Sequence, residues 1–203
     1  RENATTAIDH DTQDLTKVHS TNINLPGSSE RENPKNIKGT KGDTLNIFQA
    51  NVSGISNKKI ELAQLFTEHR VHIALLQETQ HRSADTNITG YTQYCCKCEN
   101  CRGVITYIRN DLYGDVDQID TAQPTDVQKA TLWLSGKKFT IYNIYNPPKN
   151  HLEPNFINDV EYHQTIFGGD FNGHSPIWGY PDHNKTGHAI EKVNNTTNLC
   201  IIQ

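Results

Sequence analysis

Residues 44–79 read TLNIFQANVSGISNKKIELAQLFTEHRVHIALLQET, and the three parts of this stretch decide the fold. Leu45, Ile47 and Phe48 mark a short buried strand. In NKKIELAQLFTEHR, the residues Ile60, Leu62, Ala63, Leu65 and Phe66 recur at helical spacing. VHIALLQET is a near-continuous apolar run, the pattern of a strand covered on both faces. Strand, helix and strand with short joints make a βαβ unit, whose crossover is right-handed and whose strands run parallel. Parallel strands put their carboxyl ends on one edge of the sheet, and that edge is where open α/β sheets bind ligands. Asn51 comes just past the first strand and Glu78 just past the second, so both are placed at that edge.

The same reading extends downstream. GYTQYCC and GVITYIRN alternate on either side of the turn-rich KCENCRG, which predicts a hairpin. KATLWLSGKKFTIYNIYNPP predicts two strands around Ser135–Gly136, stopped by Pro147–Pro148. The linker from Lys149 to His163 has room for a short helix. TIFGGD is another strand, GHAIEKVNNTTN a helix with Ile190 and Val193 inward, and LCIIQ the start of a further strand. Tyr145 and the pair Asp170 and Asn172 therefore also fall at strand ends. Gly168–Gly169 are expected to let the chain turn and bring Asp170 and Asn172 close to a ligand.

Residues 1–43 are rich in Thr, Asn, Asp, Glu and Lys, lack either periodicity, and predict a disordered leader. Residues 44–203 form the folded domain. A hydrophobic fraction of 34% fits a chain of 203 residues in which one segment does not fold. The net charge of −4 provides no global basic field, so any contact with a phosphate backbone must come from a local patch or a bound metal ion. No apolar run approaches the about 20 residues that span a bilayer, and no signal pattern opens the chain. A soluble, intracellular protein with no membrane partner is expected. The sequence has no Met, position 1 included, which points to a piece of a longer reading frame.

The strand-end residues suit phosphodiester chemistry. A hard divalent cation, Mg²⁺ or Mn²⁺, polarises a phosphate oxygen and is held by one or two carboxylates, a role that suits Glu78. A base must take a proton from water, a role for Asp170. Asn51, Asn172 and the Tyr145 hydroxyl suit phosphate binding and orientation. Each also has a plain structural reading. Asp170 and Asn172 favour turns, Glu78 can be a solvated strand-end acid, Asn51 can cap the next segment, and strand tyrosines such as Tyr145 often only pack.

Taken in order, LNIFQAN, IALLQET, IYNIYNPP and GGDFNGHSPIWG resemble the endonuclease/exonuclease/phosphatase superfamily. More narrowly, the chain resembles the apurinic-like endonuclease domain of non-LTR (LINE-type, jockey-like) retrotransposon polyproteins. The resemblance covers Thr44 to Gln203. It implies a two-sheet, DNase I-like α/β sandwich and metal-dependent nicking of DNA that primes a reverse transcriptase region carried on further sequence. It maps Asn51, Tyr145, Asp170 and Asn172 onto catalytic positions and Glu78 onto the metal position.

The chain departs from the family pattern at several points. Ala50 stands where relatives often have Trp, and Ser53 where many carry an acid. The family's closing Asp-His pair and last strands are not found up to Gln203. Asp182–His183 has the right residue types, but it leads into polar Asn184–Lys185 and is not assigned that role. The 203-residue chain is therefore expected to nick DNA weakly or not at all. The alternatives are a non-catalytic remnant that at most binds nucleic acid, and a phosphatase or phosphodiesterase of the same fold.

Three further features complete the reading. His174 either ties its loop by a hydrogen bond or touches DNA. Trp178 belongs to the core. Cys95, Cys98 and Cys101 share zinc-like spacing, but thiols packed this closely seldom wrap one ion, and incidental thiols in a turn are expected.

Overall fold

The computed structural model describes residues 6–9, 19–24, 44–81, 86–95, 103–119, 121, 124–134, 136–153, 164–196 and 200–202. In chain order come β1 (Thr6–Asp9), β2 (His19–Asn24), β3 (Thr44–Asn51), α1 (Lys59–Glu68), β4 (Ile73–Gln77), β5 (Tyr91–Cys95) and β6 (Ile105–Arg109). They are followed by β7 (Tyr113–Ile119), β8 (Asp126–Leu134), β9 (Lys137–Tyr145), β10 (Thr165–Asp170), a 3₁₀ turn (Pro176–Trp178), α2 (Lys185–Thr196) and β11 (Cys200–Ile202). No described helix is long and apolar enough to cross a membrane.

The strands form two sheets. One has the order β2-β3-β4-β6-β5 and the other β11-β1-β10-β9-β8-β7. β3 and β4 pair in parallel, from Ile47 opposite Ile73 to Asn51 opposite Gln77, as the βαβ pattern requires. β9 and β10 are also parallel, from Thr140 opposite Thr165 to Tyr145 opposite Asp170. The two expected hairpins, β5–β6 and β8–β9, are antiparallel.

The sheets face each other across an apolar cluster. Leu45, Ile47, Ile73, Leu75 and Ile108 come from one sheet, and Ala130, Leu132, Phe139, Ile141 and Ile166 from the other. Each such side chain removed from water contributes about 1.5–3 kcal/mol. Helix α1 covers the outer face of the first sheet through Leu62 and Phe66. The Phe66 ring meets Phe48, Tyr91 and Tyr107 at centroid distances of 5.3, 5.1 and 5.7 Å. Ile60 is not part of this stripe and stands 84% exposed. Two residues of helix turn it about 200° from Leu62. Helix α2 covers the second sheet through Val193 and the partly buried Ile190, beside Phe167 and Phe171.

The structure differs from the sequence reading at further points. Within residues 1–43, Thr6–Asp9 lies parallel between β10 and β11, and His19–Asn24 runs antiparallel to β3. The strands of both sheets have backbone groups that call for partners, and short Thr- and Ile-containing segments supply them without a periodic signal. Gly168 and Gly169 do not turn the chain, because both lie inside β10. They let it pack closely instead. A Cβ on Gly168 would lie 2.6 Å from Leu75 Cδ1, and one on Gly169, at φ +155°, would lie 1.9 Å from the Ile144 carbonyl oxygen. Strand β7 was not anticipated, since its exposed face carries Asp115 and Asp117. The short helix expected between Lys149 and His163 falls mostly outside the described residues.

Candidate active site

Four strands deliver the expected residues to one edge. Asn51 ends β3, Tyr145 ends β9 and Asp170 ends β10, while Glu78 follows β4 directly. Asn51 Nδ2 donates to Asp170 Oδ2 at 2.8 Å. The Asn172 backbone N–H donates to Asp170 Oδ1 at 3.1 Å. Both oxygens of the Asp170 carboxylate are thus oriented by N–H donors, and the residue is only 3% exposed. The Tyr145 hydroxyl donates to Glu78 Oε1 at 2.9 Å. Its one proton is therefore directed at Glu78, so in this arrangement Tyr145 positions a carboxylate.

The loops around these residues are sewn together by backbone bonds. The Val52 and Gly54 N–H groups donate to the carbonyls of Gln77 and Glu78 at 2.9 and 2.7 Å. Glu78 and Asn172 both sit at φ +48°. Such a conformation costs a non-glycine residue roughly 1–3 kcal/mol and persists where the surroundings enforce it. Arg70, Gln80, Lys149 and Gln164 share that region, so positive φ does not by itself mark the site.

Asn146 is fully buried and was not singled out by sequence. Its N–H donates to the Asp170 carbonyl at 2.8 Å, its Nδ2 to the Phe171 carbonyl at 3.0 Å, and its own carbonyl accepts from Asn172 Nδ2 at 2.9 Å. The Asn172 amide thus braces the loop. Asn184 caps α2: its Oδ1 accepts from Gly187 N–H at 2.7 Å and from His174 N–H at 3.0 Å. Its Nδ2 reaches the Asn172 carbonyl at 2.8 Å. A Cβ on Gly187 would fall 1.9 Å from the His174 carbonyl oxygen, so glycine there lets α2 lie against the loop.

Beneath the corner runs a buried row of polar side chains that joins the sheets. Gln49 Nε2 donates to Gln77 Oε1 at 2.7 Å, and Gln77 Nε2 to Asn143 Oδ1 at 2.7 Å. Asn143 Nδ2 reaches Thr106 Oγ1 at 3.1 Å, and Thr106 donates to Gln128 Oε1 at 2.8 Å. Sequence reasoning missed this row. Its signal was present, since Gln49, Gln77 and Asn143 each stand two positions from apolar residues that face the same inter-sheet space.

The remaining candidates have structural partners. His174 Nδ1 lies 3.3 Å from Asp182 Oδ1, and its ring stacks on Tyr180 at 4.4 Å, so it ties its own loop. Trp178 is buried and donates through Nε1 to the Gly173 carbonyl at 3.0 Å. Asp182 and His183 have separate partners: His183 Nε2 lies 2.7 Å from Glu191 Oε1. Hydrogen bonds from Ser175 and His183 hold the Glu191 carboxyl below its ordinary range. Cys95 ends β5, while Cys98 and Cys101 lie outside the described residues.

Comparison with known proteins agrees with this architecture. Residues 139–203 match the sequence model of a family described as endonuclease-reverse transcriptase. The structure is similar to the endonuclease domain of TRAS1, a telomere-specific non-LTR retrotransposon. The two share 21% identity at a TM-score of 0.57, over 73% of this chain and 69% of that one. The chain has the DNase I-like, two-sheet α/β sandwich fold. The resemblance to non-LTR retrotransposon endonuclease domains, drawn from four motifs, holds. The fold is shared with TDP2 of D. rerio, solved with a single-strand DNA product, at 15% identity and a TM-score of 0.50. That likeness spans 64% of this chain and 62% of the TDP2 chain. No curated protein sequence matches significantly.

Proposed function

We propose that this corner hydrolyses phosphodiester bonds of DNA in a metal-dependent reaction, as the endonuclease part of a retrotransposon protein. The observation that carries the reading is the buried Asp170 carboxylate, with both oxygens held by N–H donors at the strand edge that also bears Glu78. The likeness to a retrotransposon endonuclease and to an enzyme solved with a DNA product supports DNA as the substrate.

The donors fit a hard divalent ion. The five corner residues offer carboxylate, amide and phenol oxygens and no thiol or imidazole, which suits Mg²⁺ or Mn²⁺. Glu78 would hold the ion, oriented by Tyr145, and a bound ion would polarise a phosphate oxygen. Asp170 holds the attacking water and takes its proton at a carboxylate oxygen. The donors on Asn51 and Asn172 fix the direction of that carboxylate, so no reorientation is needed as charge develops. The 3′-hydroxyl left at a nick would serve a reverse transcriptase region on further sequence.

The test is relaxation of supercoiled plasmid by the chain with Mg²⁺ or Mn²⁺, with the nicks read by polymerase extension from their 3′ ends. Slow, metal-dependent nicking that disappears in Asp170→Asn and Glu78→Gln is expected. Cleavage that is unchanged in Asp170→Asn and Glu78→Gln overturns the reading.

A further inference from the structure

A second cluster of ligand-type side chains lies apart from the five corner residues, between the loop that follows Asp170 and helix α2. One ligating atom from each of His183, His188 and Glu191 lies within 4.8 Å of the other two. His183 Nε2 and Glu191 Oε1 are 2.7 Å apart, and the His183 and His188 rings stack at 4.4 Å with 8° between their planes. His188 and Glu191 are three residues apart on α2, which places them on one face of the helix. His183 comes from the loop just before the helix.

The geometry points to a site for a borderline transition-metal ion of the Zn²⁺ class, held by His183, His188 and Glu191 with a fourth position open to solvent. Two imidazoles and one carboxylate favour such an ion over Mg²⁺ or Ca²⁺, which prefer oxygen donors. Bond lengths of about 2.0–2.2 Å bring tetrahedral ligand atoms to ~3.3 Å from one another, so only small side-chain movements complete the site. The ligands also have outer support. Glu191 accepts a hydrogen bond from the hydroxyl of Ser175, whose Oγ also lies 3.2 Å from His183 Nε2. Ser175 is fully buried and accepts the Ile177 N–H at 3.1 Å at the start of the 3₁₀ turn. Partners of this kind orient first ligands in known metal sites.

The ion would join α2 to the segment that carries Asn172, reinforcing a junction already held by Asn184 and by the Ser175–Glu191 hydrogen bond. Its role is therefore to brace the loop, separate from the chemistry proposed for Glu78 and Asp170. Exposed His183 and His188 leave an entry path for the ion.

The experiment is titration of the whole chain with Zn²⁺, and with Co²⁺ as a spectroscopic probe, in excess Mg²⁺. His188→Ala and Glu191→Gln are titrated alongside, and melting without Zn²⁺ verifies that each variant folds. Each substitution is expected to lower the Zn²⁺ stoichiometry by one and to remove the Zn²⁺-induced rise in Tm. The Co²⁺ difference spectrum, wild type minus His188→Ala, should show four-coordinate d–d bands without thiolate charge transfer. Unchanged stoichiometry in folded His188→Ala, or a thiolate band in that difference spectrum, overturns the proposal. The second result would assign the ion to the cysteines at 95–101.

Discussion

The space between the two sheets has two ends built from different chemistry. At one end Leu45, Ile47, Ile73, Leu75, Phe139 and Ile141 pack as a continuous apolar cluster. At the other, the same strands present Gln49, Gln77 and Asn143, then Asn51, Glu78 and Tyr145. The apolar end needs only volume and shape, and its contribution scales with area removed from water. The polar end needs a partner for each buried group, because an unpaired one costs about 1–3 kcal/mol. What it provides in return is direction. The side-chain row from Gln49 to Gln128 locks two sheets in register directly below a carboxylate that must point one way.

Substitutions at the two ends should therefore fail differently. The largest expected effect is Asp170→Asn, which should lower cleavage about 10³-fold, or about 4 kcal/mol in the barrier, at a stability cost of about 1 kcal/mol because the amide leaves one of the two N–H donors without an acceptor. Plasmid nicking and a thermal melt on the same sample measure both. Leu75→Ala should behave in the opposite way. It should cost about 3 kcal/mol of stability by urea denaturation and leave cleavage per folded molecule near normal. Asn143→Leu sits between them, since it strips partners from Gln77 and Thr106. A stability loss of about 2 kcal/mol together with reduced cleavage is expected, and a purely structural loss would show that the row does not position the corner. Tyr145→Phe should lower activity about tenfold and weaken Mn²⁺ binding measured by electron paramagnetic resonance, through loss of one hydrogen bond to a charged group.

The smallest effect sharpens the comparison at the apolar end. Burial, with help from the Arg109 charge, lowers the pKa of His72, whose Nδ1 accepts the Asn46 N–H at 2.9 Å. The unfolded chain then takes up a proton before the folded one as pH falls. Stability from this residue is complete above about pH 6.5 and is lost as pH drops below that value. Urea melts at pH 7.5 and 5.5 should show the loss in wild type and a smaller one in His72→Gln, at conditions of about those pH values.

Much of this molecule follows from patterns only a few residues long. The run from Leu45 to Glu78 carries its own signals, apolar runs for the strands and a 3.6 period for the helix, and parallel pairing with the carboxyl ends at one edge follows from them. That is why the sequence alone places Asn51, Glu78, Tyr145 and Asp170 at strand ends. Periodicity is local, however, and says nothing about which strand ends face one another. The partnership of Asn51 with Asp170 spans 119 positions and that of Tyr145 with Glu78 spans 67, and both arise only when the second sheet closes over the first. The same closure brings Leu75 against Gly168, while pairing within each sheet sets Gly169 against Ile144 and adds the strands from residues 6–9 and 19–24. The laying of α2 against the second sheet gathers His183, His188 and Glu191 beside the loop, because ligand geometry depends on where a helix is laid and not on the order of residues that form it.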